Sequence, residues 1–178
     1  MGWDSINPNS MKNQIRDLGK EIQNVKTHLQ KLEHAIMFGK EMKTIEYLID
    51  EFHEVSDLAD DSEEKIRWAD LAISLGSDGF KKSLASLEQM MDGTSHVFAE
   101  GSIFNTIVSD ENFICTDLKE SSEYFFSLWT IGHALWANAY RVKNSSFEEN
   151  ARKLKRIAQS KIVVFETARD DAYPDHCD

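Results

Sequence analysis

Two prolines and eight glycines in 178 residues leave few of the turn signals that a fold of many short strands requires. Two cysteines are too few for a small disulfide-built scaffold. No apolar run reaches the about 20 residues of a membrane-spanning helix. The longest, from Tyr124 to Ala139, has 16 and carries Ser127, Thr130, His133 and Asn138. Basic residues are in deficit, 20 against 31 acidic ones, for a net charge of −11. This argues against a general nucleic-acid binder, because phosphates must be met by a basic surface.

Catalytic signatures are also missing. The chain has no Gly-x-Ser-x-Gly elbow, no phosphate loop and no Gly-x-Gly-x-x-Gly fingerprint. No Glu stands three residues before any of the six histidines, as in the metal-binding pairs of helical bundles. Asp50-x-x-His53, extended by Asp57, is the nearest approach, and no second helix repeats it. The run Asp57 to Asp61 fails the spacing of a calcium-binding loop. The expectation is a chain without enzymatic activity, cofactor or metal. No charged-then-apolar leader opens it, which fits either a mature secreted form or a cytoplasmic protein.

What is present is helical periodicity. Ile15, Leu18, Ile22, Val25, Leu29, Leu32 and Ile36 alternate spacings of three and four, the seam of a coiled-coil-like helix. Asn7, Asn9 or Ser10 can cap its start, and Gly39 marks the loss of register. The 15–36 seam permits a homo-oligomer, or burial inside a single bundle. A second amphipathic segment runs from Glu41 to Ala59, with Ile45, Leu48, Ile49, Phe52, Val55 and Ala59 inward. Asp61 with Glu64 resembles a capping box for a third helix carrying Ile66, Trp68, Ala69 and Ile73. After a break at 74–79, Phe80, Leu84, Leu87 and Met91 form a fourth stripe that Asp92-Gly93 ends. Residues 94–112 admit either a short helix or a β-rich loop.

A long apolar helix is predicted from Asp117 to Val142, and a last one after the capping pair Ser146 and Glu149, with Phe147, Ala151, Leu154, Ala158, Ile162, Phe165 and Ala168 at helical spacing. These two form an antiparallel hairpin. The fold class is therefore all-α, an elongated helical bundle in one domain over 1–178, with flexible ends at 1–8 and 173–178.

Charge is divided along the chain. From Glu41 to Asp70 eleven acidic residues face three basic ones, and from Arg141 to Lys161 seven basic face two acidic. The two segments can attract each other within the bundle, or each can meet a partner. Asp50, Glu54, Asp57, Asp61 and Glu64 would share one face of an unbroken helix, a surface for a basic protein partner. Cys115 and Cys177 leave two states open, one bridge or two free thiols. His133, set among Trp129, Trp136 and Ala137, reads as a core histidine, with a pH switch as the alternative, and His28 and His34, off the heptad seam, read as surface.

The predicted helix from Tyr124 to Arg141 is apolar on nearly all sides, which makes it the central helix of a bundle or a helix that meets lipid. Its pattern, Tyr124-Phe125-x-x-Leu128-x-x-Ile131-Gly132-x-x-Leu135-x-x-x-Ala139-Tyr140-Arg141, resembles a stretch of the cephalotoxin-like and rapunzel-like proteins. Ile103 to Val108 also fits the apolar stretch of that group. Their helical domains are similar in turn to the long-helix bundles of α-pore-forming toxins. The resemblance implies a non-enzymatic bundle acting by contact with a membrane or another subunit, and it carries over no catalytic residue. Phe125, Trp129, Trp136 and Tyr140 are then the candidate contact surface, released if the bundle opens. The alternative is a soluble acidic adaptor or inhibitor that binds a basic partner through 41–70.

Overall fold

The structure, a computed structural model, describes residues 35–74, 79–94, 101–143 and 147–177. The heptad seam, but for its last position, the sequence break at 75–78 and the cap at Ser146 lie outside the described residues. Helix α1 (Ala35–Val55) runs straight through Gly39, where the sequence predicts a loss of register. A glycine in a helix interior costs only about 1 kcal/mol, which packing on either side can offset. Ile45, Leu48, Ile49, Phe52 and Val55 face inward, as their spacing predicts, whereas Ala59, expected to join them, is exposed because it lies beyond the end of the helix. The helix stops four residues short of the expected Ala59, and Ser56 Oγ donates to the His53 carbonyl at 3.0 Å in the turn that follows.

Helix α2 (Glu63–Ile73) is capped by Ser62, whose Oγ accepts from the Lys65 amide at 3.3 Å. The cap therefore sits one residue beyond the predicted Asp61. Glu63 and Glu64 occupy the first turn, where the helix dipole favours negative charge. Trp68 is buried against Phe52, ring centroids 5.0 Å apart, and its Nε1 donates to the Leu48 carbonyl at 3.0 Å. Helix α3 (Phe80–Asp92) buries its predicted stripe and ends at Gly93, whose φ of 84° is the left-handed conformation that glycine adopts without strain.

Of the two alternatives for 94–112, the described part is helical: α4 (Ile103–Val108). Asn105 Oδ1 accepts from both the amide and the hydroxyl of Ser102, at 3.3 and 2.9 Å. Gly101, at φ 107°, lies just before this cap rather than inside the helix.

Helix α5 (Cys115–Val142) is the axis of the fold and packs against every other helix among the described residues. Asp117 does not open it but sits in its first turn, buried, accepting from the Ile114 amide at 2.9 Å. Gly132 marks a close approach to α3 and α1, since a Cβ there would stand 2.7 Å from Leu84 Cδ2 and 3.5 Å from Ile45 Cγ2. Helix α6 (Phe147–Ala172) returns alongside α5. Phe126 and Trp129 meet Phe165 at 6.3 and 5.4 Å, and Arg169 lies over the Phe126 ring at 5.7 Å. A disulfide between Cys115 and Cys177 joins the start of α5 to the chain just beyond α6, so the hairpin is antiparallel. The expected loose tail is instead a 3₁₀ turn, Asp175–Cys177, in which the Cys177 amide donates to Pro174 O at 2.9 Å. Among the described residues there is no strand, and one connected apolar core runs from Ile45 to Ala172.

Candidate functional site

The aromatic residues expected to form a contact surface lie mostly in the interior. Phe125 is fully buried and Trp129 is 1% exposed, while Trp136 and Tyr140 are half-buried. Their rings continue along α5 as a ladder: Trp129 to His133 at 4.6 Å, His133 to Trp136 at 5.9 Å, Trp136 to Tyr140 at 6.2 Å. Trp129 Nε1 donates to Glu88 Oε1 at 2.9 Å, and His133 Nε2 lies 3.3 Å from the same oxygen. Burial pushes the Glu88 carboxyl up; the hydrogen bonds from His133 and Trp129, with the charges of His133 and Lys161, outweigh it and hold the group below its ordinary value. Tyr124 donates to Glu46, and burial, followed by the Glu46 charge, pushes the phenol up. Phe125, Trp129 and His133 are buried, and exposing them requires unpacking α5, whereas Trp136 and Tyr140 each keep part of their surface in solvent.

The charge division is met partly inside the molecule. Arg141, at the end of α5, binds Asp60 through both terminal guanidinium nitrogens and Asn138 Oδ1 through Nε at 2.9 Å. Lys65 Nζ completes the cluster, 3.0 Å from Asp60 and 3.1 Å from the Leu58 carbonyl. The hydrogen bond from Arg141 is the main cause that holds the Asp60 carboxyl down, to about 2, against the smaller opposing effect of burial and with help from Lys65. Lys143 pairs with Asp70 at 2.8 Å. Asp50, Glu54, Asp57, Asp61 and Glu64 are all exposed, but they do not line one helix. Because α1 ends at Val55, Asp57 and Asp61 sit in the turn and Glu64 begins the next helix.

The outer side of α6 carries what the sequence reading missed. Ile157, Val163 and Val164 are 45%, 61% and 46% exposed. Lys153, Arg156, Ile157 and Ser160 line an open depression of about 350 Å³. The signal was the unbroken run Ile162-Val163-Val164-Phe165, which is wider than the single stripe that a two-layer helix needs. No helix among the described residues is long and apolar enough to cross a membrane.

The cysteines resolve into the bridged state. His176, which the sequence leaves in a loose tail, lies beside them. Its ring and the two sulfurs form the one group of three metal-ligating side chains among the described residues, all within 4.8 Å of one another. Asp50, His53 and Asp57 form no such group. No family model, curated protein or solved structure matches this chain.

Proposed function

We propose that this chain is a non-catalytic helical bundle of the toxin-like type that acts by contact with an anionic membrane surface, through the outer face of α6. The carrying observation is the exposure of Ile157, Val163 and Val164 on a helix whose first half also exposes Arg152, Lys153 and Arg156. Aliphatic side chains beside cations are the pattern of a helix lying in a lipid interface. Each half-covered aliphatic gains roughly 1 kcal/mol on entering an apolar layer. Each cation close to an anionic leaflet adds about 1 kcal/mol. The result is reversible attachment in the sub-millimolar range, roughly 6 kcal/mol in all, without opening the bundle. Release of the α5 aromatics is the costlier route, at about 1.5–3 kcal/mol for each buried ring.

Flotation with vesicles of phosphatidylcholine, with and without phosphatidylserine, tests this reading. The expected result is co-flotation with the anionic vesicles at low salt, reduced at high salt. A chain that floats with neither vesicle at low salt overturns it.

A different observation favours a second reading, the acidic adaptor: the five acids of α1, its following turn and α2 all stand in solvent. In that case a basic protein partner is lost when Asp50, Glu54, Asp61 and Glu64 become amides, while vesicle binding is unchanged. Self-association through 15–36 concerns residues that, apart from 35 and 36, lie outside those described, and sedimentation of the full chain tests it.

A further inference from the structure

We propose that Cys115, His176 and Cys177 form a redox-gated site for a soft divalent cation, zinc by its chemistry. Two thiolates and an imidazole are ligands that zinc prefers, with bonds of about 2.3 Å to sulfur and 2.0–2.1 Å to nitrogen. Ligand atoms held at those lengths in a tetrahedron stand about 3.4–3.8 Å apart. The two sulfurs and the His176 ring nitrogen already lie within 4.8 Å of one another. No long rearrangement is needed to gather them.

The three ligands come from two supports. Cys115 is the first residue of α5, a 28-residue helix fixed in the core, so a thiolate there faces the positive end of the helix dipole. His176 and Cys177 share one 3₁₀ turn, held by the Cys177 amide on Pro174 O. His176 is exposed, and Cys115 and Cys177 are half-buried, so ion and solvent both have access. Separating the sulfurs from bonding contact to ligand distance asks only for movement of this short turn.

The chemistry balances as follows. In the bridged form neither sulfur is a thiolate and the site takes no zinc. A dithiol or phosphine reductant supplies two electrons, the sulfur–sulfur bond breaks, and each sulfur takes up one proton. Zinc then displaces those two protons to solvent, binds both thiolates and the neutral His176 nitrogen, and keeps a water in its fourth position. Either form clasps the open end of the α5–α6 hairpin, by a covalent bond in oxidising surroundings and by coordination in reducing ones. The proposal does not depend on the membrane reading.

The test is a zinc titration of the full chain, as isolated and after reduction by a phosphine that is then removed without air. Cobalt(II) serves as the spectroscopic probe, and circular dichroism is followed throughout. The reduced chain should bind one zinc, show thiolate-to-cobalt charge-transfer absorption, and gain thermal stability with zinc. The isolated chain should bind none. His176→Ala keeps the disulfide, and after reduction it should lose affinity by roughly tenfold or more. The proposal is overturned if the reduced chain takes no stoichiometric zinc. Equal binding by His176→Ala also overturns it, as does zinc uptake by a reduced chain that stays unfolded.

Discussion

Trp129 of α5 and Glu88 of α3 are joined inside the bundle, indole Nε1 to carboxylate Oε1 at 2.9 Å, and His133 Nε2 lies 3.3 Å from the same oxygen. One acceptor thus serves two buried rings on the central helix. Its removal strands polar atoms where water does not replace it, which costs more than the bond itself contributes.

Glu88→Ala is therefore expected to destabilise the chain by about 2–3 kcal/mol, read as a lower urea midpoint at neutral pH. Because the folded-state carboxyl is held below its ordinary value of 4.5, its contribution is present above that pH and is lost as pH falls further. Glu88→Gln should flatten this part of the acid profile. An unchanged acid limb in that variant would contradict the assignment.

The same sign applies at the surface. Asp60, held down to about 2 chiefly by Arg141, contributes above its ordinary 3.8 and loses that contribution towards pH 2. Its side chain is 47% exposed, so solvent screens the pair. Asp60→Asn should cost only about 0.5–1 kcal/mol and should make stability less sensitive to salt. Urea titrations at low and high ionic strength check both.

The bridge between Cys115 and Cys177 spans 62 positions. In the chain-entropy account its loss lowers stability by roughly 2–4 kcal/mol. Thermal unfolding with and without a phosphine, in the presence of a chelator, should show that loss, and Cys115→Ser should reproduce it. Reduction that leaves the transition unmoved would mean that the clasp adds nothing to packing.

These residues also show what could be read without coordinates. The stripes of α1, α3 and α5 were legible because burial on one face imposes a helical period, and Phe125, Leu128, Ile131 and Leu135 mark the axial helix by being apolar all round. The same breadth misled on function: Trp129 reads equally well as lipid-seeking or as core, and its partner Glu88 lies 41 positions away. Pairing of Cys115 with Cys177 depends on where two long helices end in space, which no local spacing encodes. The shift of the α2 cap from Asp61 to Ser62 is smaller, since both residue types cap well.

Burial separates the two routes to a membrane. Val163 and Val164 are exposed, so Val163→Asp and Val164→Asp should change stability by no more than about 0.5 kcal/mol. Attachment to anionic vesicles should fall, since both the apolar gain and the local positive charge are reduced. Trp129 is fully enclosed between Glu88, His133 and Phe165, so Trp129→Ala should lose about 3–5 kcal/mol of stability. If α6 alone makes the contact, Trp129→Ala still floats with vesicles below its melting temperature, and tryptophan emission of the parent chain does not shift blue on binding. If the α5 ladder inserts, the emission shifts and the two valine variants bind as the parent does. Flotation and fluorescence on the same four proteins distinguish a bundle that docks intact from one that must open.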